Sequence, residues 1–169
     1  MSAVALVAIA NYLRSKLMPA SKQDALAAIA QAGIDYDASQ VQLNIESGLS
    51  TSVKTRVQAV QTTFNTKRAN MTVAQIAAVQ ADLDTANADV ALNANDNAVG
   101  MVFDDQAEAS LGSANASLQA KQYDAAVSQA QYSSARSVLA KSSYNDGIAY
   151  LNLASNALDA AQTILNGVP

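Results

Sequence analysis

Between Thr72 and about Gln119, apolar side chains return at steps of three and four: Ile76, Val79, Leu83, Ala86 and Val90, then Val99, Phe103, Ala107, Leu111, Ala114 and Leu118. That spacing brings a side chain back to one face of an α-helix at every turn. The stretch therefore predicts one long helix, or two helices in line, with an apolar stripe that needs a partner. The rest of the chain is built to supply one.

Alanine makes up roughly a fifth of the chain, and only 5% of residues are aromatic. Alanine is the best helix former, but its methyl removes little apolar surface from water. Helices that approach closely follow, with little burial energy per residue. A chain of this kind gains stability by associating with copies or partners. Only 14% of positions are charged, about half the usual share. A weakly charged surface rich in amides and hydroxyls suits a protein that lies against other protein.

Read in order, residues 1–33 predict a helical hairpin. Val4, Leu6, Val7, Ile9, Ala10, Leu13 and Leu17 give the first arm an amphipathic face, and Pro19 ends it. The apolar run is too short for a transmembrane span, and no basic residue precedes it as a secretory signal requires, so no membrane insertion is expected. Ser21 is placed to cap a second arm that stops at Gly33. A third helix spans 37–68 with Asp37 as its cap, on a ladder of Val41, Ile45, Leu49, Val53, Val57, Val60 and Phe64. Val41, Leu43 and Ile45 also alternate as a short strand would, and Gly48 with Ser50, Thr51 and Ser52 marks a break.

Thr72 and Gln75 form a capping box for the central segment, 72–119. Within it, Asn93, Asn95, Asp96, Asn97 and Gly100 interrupt the stripe. The segment either bends there or continues with a polar seam, as a buried asparagine fixes register in a coiled coil. A C-terminal hairpin fills 122–166: a helix from about Tyr123, a turn at Asn145, Asp146 and Gly147, and a last helix carrying Leu151, Ala154, Leu158, Ala161 and Leu165. The expectation is a single all-α domain, an elongated helical bundle of about five or six helices.

The chain contains no histidine and no cysteine. Familiar zinc sites, cysteine nucleophiles and histidine-based serine triads are excluded, and no cofactor or metal site is expected. Asp105 and Glu108 are spaced like half of a carboxylate-bridged metal site but lack the histidine it needs. Asn93, Asn95 and Asn97 alternate as calcium-loop ligands do, with Ala98 at the glycine position.

The net charge of −4 conceals a segregation. Residues 1–68 carry seven basic groups against four acids, whereas 69–120 carry Asp82, Asp84, Asp89, Asp96, Asp104, Asp105 and Glu108 with no basic residue. These seven carboxylates are the candidate interaction face, for a basic partner protein or a second copy. A run of charge is more often a solvated face, and these carboxylates are also read as one, or as partners of the basic N-terminal third of the same chain. Nucleic acid is disfavoured, because dispersed cations do not make a phosphate-binding footprint. The functional expectation is a non-enzymatic structural or assembly protein, a homo-oligomer or a part of a larger complex such as a phage virion. The alternative is a helical adaptor that uses its acidic helix to hold a partner.

Overall fold

The computed structural model describes residues 19–169, and the expected N-terminal amphipathic arm lies outside them. Among the described residues there are three long helices: α1 (Lys22–Lys67), α2 (Val73–Gln119) and α3 (Tyr123–Asn166), with a 3-10 turn at Arg68–Asn70 between the first two. The fold is all-α, but with three helices where the sequence suggested five or six. At 46, 47 and 44 residues, each helix is about 65–70 Å long.

Local chemistry sets the ends. At the start of α1 the Asp24 N–H donates to Ser21 Oγ (3.1 Å) and the Ser21 N–H donates to Asp24 Oδ2 (2.9 Å). At the start of α2 the Gln75 N–H donates to Thr72 Oγ1 (3.2 Å) and the Thr72 N–H to Gln75 Oε1 (2.9 Å). Both are capping boxes that satisfy otherwise unpaired donors. α2 ends in a Schellman turn: Gln122 N–H donates to the Ser117 carbonyl and Lys121 N–H to that of Leu118, with Lys121 at φ 61°. A lysine in this left-handed conformation is strained where glycine is not. Lys121→Gly is expected to raise stability by about 0.5–1 kcal/mol in denaturant unfolding.

Three expected interruptions are helical instead, and the segment read as either a bend or a polar seam is continuous helix. Gly33 and Gly48 lie inside α1, with Asp37 and the strand-like Val41–Ile45 run between them; Asn93–Gly100 lies inside α2 and Asn145–Gly147 inside α3. A glycine in a helix interior costs only about 1 kcal/mol against alanine, too little to end a helix whose packing continues on both sides. That packing has a strict period of seven. On α1 the buried positions include Ala25, Ala32, Ser39, Glu46, Val53 and Val60; on α2, Val79, Ala86, Asn93, Gly100, Ala107 and Ala114; on α3, Ala126, Ser133, Ala140, Gly147, Ala154 and Ala161. Such a repeat is that of coiled-coil seams.

The chain forms two compact units, and each helix contributes to both. The first joins the described residues up to Ala38 with Phe103–Val138. Its core is small: Ala32, Ala114 and Ala130 pack with Ala28, Ile29 and Leu111. Polar bonds assist, with Ser133 Oγ donating to the Ala107 carbonyl at 2.7 Å, Ser134 Oγ donating to Asp35, and the Arg136 guanidinium over the rings of Tyr132 (4.6 Å) and Phe103 (5.5 Å). The second unit joins Ser39–Val102 with Leu139–Pro169. Val53, Val60, Phe64, Val79, Leu83, Leu151, Leu158 and Leu165 fill its core. Lys67 Nζ donates to the carbonyls of Leu165 (3.0 Å) and Val168 (2.6 Å) at the end of α3, where the helix dipole favours a cation.

Candidate functional site

Within the second unit a polar layer centred on Glu46 interrupts the apolar core. The seven-residue register of α1 places Glu46 where valine stands one and two repeats later, so its carboxyl is carried inward and is fully buried. α2 answers with two amides. Asn93 Nδ2 donates to Glu46 Oε1, Asn97 Nδ2 donates to Glu46 Oε2 (2.8 Å), and Ser50 Oγ donates to Asn93 Oδ1 (3.3 Å). From α3 comes a glycine. A Cβ on Gly147 would lie against Glu46 Oε1 and 2.9 Å from Asn93 Nδ2, so only glycine leaves room for the carboxylate. The neighbouring layer repeats the device in apolar form: a Cβ on Gly100 would meet the fully buried ring of Tyr144, with Cδ1 2.8 Å away.

Burial is the chief influence on Glu46 and raises its pKa above the ordinary 4.5. The amides of Asn97 and Asn93 and the charge of Lys54 oppose the rise, and Asp96 adds to it. Asp96 is itself raised, first by burial and then by Asp146 on α3. These two acids face one open recess, lined also by Ala149, Tyr150 and Leu153.

The seven carboxylates of α2 do not make one solvated face. Asp82, Asp84, Asp89 and Asp96 belong to the second unit, and Asp104, Asp105 and Glu108 to the first. Asp82, Asp89 and Asp96 follow one another at steps of seven and are half-buried; Asp84 is exposed and accepts from Gln80 Nε2 at 3.0 Å. Asp104 occupies a core position, only 5% exposed, while Asp105 and Glu108 are open to solvent. Glu108 bonds the Tyr36 hydroxyl, whose pKa is raised by burial and by the charges of Glu108, Asp104 and Asp105. Arg56 does not pair with this acidic helix. It reaches α3, donating to Ser155 Oγ and Asp159 Oδ1 at 2.5 Å each; the ion pair is largely exposed and contributes about 0–1 kcal/mol.

No group of three or more metal-ligating side chains occurs among the described residues, and no helix there is long and apolar enough to cross a membrane. Glu46 and Gly147 were not among the sequence candidates. The signal for them was present: Ala25, Ala32, Ser39, Glu46, Val53 and Val60 share one seven-residue register. It was masked by the Val41 and Ile45 ladder, which points outward, with those residues 58% and 52% exposed. Compared with protein families, with curated proteins and with solved structures, the chain gives no match.

Proposed function

We propose that this chain is a non-enzymatic structural protein whose helices pack by their outer faces against further copies in an ordered assembly, of which a phage virion is one form. The observation that carries this reading is the chemistry of the outermost register. Two residues beyond each of the seven-spaced buried positions named above, α1 presents Ile34, Val41 and Gly48, α2 presents Ala88, Val102 and Ala109, and α3 presents Ala135, Ser142 and Ala149, all exposed. Along the three helices no charged residue stands at this position. A helix facing only water ordinarily carries its charges there. Small uncharged side chains instead let another helix approach closely, and charge depletion is the mark of interface centres. Glu46, whose carboxyl is displaced toward neutrality, is sealed from solvent and holds no position from which to reach a substrate.

Light scattering coupled to size exclusion, run over a wide concentration range, tests the reading. The expected result is a mass at a multiple of 17.5 kDa that grows with concentration, together with a melting temperature that rises with it. Val102→Lys places a charge on the outer face of α2 and is expected to reduce that mass while leaving helix content unchanged. A monomer at every concentration overturns self-assembly.

A second reading, an adaptor for a basic partner, draws on the row Asp82, Asp89 and Asp96 with Asp146 facing its end. Partner binding through that row weakens as salt rises, and binding indifferent to salt excludes it.

A further inference from the structure

A carboxyl stands in the packed core of the second unit with no cation in contact with it among the described residues. Glu46 is fully buried, and its hydrogen-bond partners are the neutral amides of Asn93 and Asn97. Lys54, on the same helix, and Asp96, on α2, are the charged side chains that act on it; α3 contributes Asp146, which faces Asp96. On the α3 side the carboxyl is closed off by Gly147. An ionised carboxylate in such a place keeps the full penalty of leaving water, and two amide donors offset only part of it. A neutral carboxyl keeps one acceptor for an amide and offers an O–H to the other, whose side-chain amide turns to present its oxygen.

We propose that the Glu46 layer is a proton-operated latch within the second unit, closed when Glu46 is neutral and prone to open, admitting water between α1 and α2, when it is ionised. The sign follows from linkage. The folded state holds this proton more tightly than the unfolded chain, so the layer gains stability as pH falls toward 4.5 and loses it as pH rises through the elevated pKa of Glu46. This is the reverse of an ion-paired carboxylate, which stabilises at neutral pH and loses its effect in acid. Asp96 acts in the same direction, because its negative charge raises the pKa of Glu46 further, and Asp146 in turn raises that of Asp96. The latch belongs to the single chain and does not depend on the assembly reading.

The test is hydrogen exchange of the full chain, read as protection factors at several values between pH 5 and 7.5, on the wild type and on Glu46→Gln and Asp96→Asn. In the wild type, protection of amides around Glu46 and Asn93 is expected to fall as pH rises, by about tenfold for each unit by which Glu46 is displaced. In Glu46→Gln the decline is expected to flatten, with protection at neutral pH equal to or above the wild type. Asp96→Asn is expected to move the carboxyl 13C titration of Glu46 downward while the side chain stays buried. A Glu46 midpoint at or below that of an ordinary carboxylate overturns the latch. So does a pH profile in Glu46→Gln superimposable on the wild type.

Discussion

Gly147→Ala is expected to destabilise the chain by about 2–4 kcal/mol, and to do so only while Glu46 is present. Judged by helix propensity alone the substitution is favourable, since alanine exceeds glycine by roughly 1 kcal/mol in a helix interior. The structure reverses the sign. The new methyl would occupy the place of Glu46 Oε1 and lie 2.9 Å from Asn93 Nδ2 and 3.1 Å from Glu46 Cδ. Overpacking of this kind costs about 1–3 kcal/mol. Displacing the carboxyl also weakens the bonds from Asn93 and Asn97, and a buried group left short of partners costs about 1–3 kcal/mol more. With Glu46→Ala the obstructing group is gone, and adding Gly147→Ala to it is expected to be neutral or stabilising by up to about 1 kcal/mol. Denaturant unfolding of the four proteins in this double-mutant cycle measures the difference. Equal effects of Gly147→Ala in both backgrounds would show that the glycine serves the helix backbone and not the carboxyl.

The same layer explains which parts of the fold were legible in the sequence. The breaks before 72 and before 122, the capping residues Ser21 and Thr72, and the end at Asn166 were legible because each depends on residues within one helical turn of one another. The last seam was legible too, since Leu151, Ala154, Leu158, Ala161 and Leu165 are apolar and all buried. Asn145–Gly147 was misread as a turn, and Asn93–Gly100 stayed open between a bend and a polar seam, for one physical reason. Asparagine and glycine have the same local preferences whether they make a turn or fill a polar core layer. The choice is made by a residue far away in the chain: Glu46 lies 47 positions from Asn93 and gives both the amide and Gly147 their place in a continuous helix. Around the middle of α1 the usual contrast of inside and outside is inverted, with Ser39 and Glu46 buried and Val41 and Ile45 exposed. A rule that sends apolar residues inward selects the wrong face there. The acidic helix was legible as a composition and not as a face, because Asp104 is drawn into the core while Asp84 and Asp105 are not.

Leu158→Ala is expected to have the largest effect of any single truncation, about 2–5 kcal/mol, and to fall on the second unit. Leu158 is fully buried in a cluster with Val53, Val60, Phe64, Leu83, Leu151 and Leu165, where each large side chain contributes about 1.5–3 kcal/mol of transfer energy. The first unit has no equivalent. Its fully buried apolar residues, among those described, are Ala25, Ala32, Ala107, Ala114, Ala126 and Ala130, and Asp104, Ser117, Ser133 and Ser137 take further inward positions. An alanine methyl returns under about 1 kcal/mol on burial, so the first unit is expected to open at a lower free energy than the second. Native-state hydrogen exchange separates the two, because amides of Ala107–Ala130 then exchange through partial openings while those around Leu151–Leu165 require the global one. Leu158→Ala should bring the second group down toward the first and leave the first nearly unchanged. Protection that falls equally in both would mean that the chain unfolds as one cooperative body, and that the alanine seams are as strong as the leucine ones.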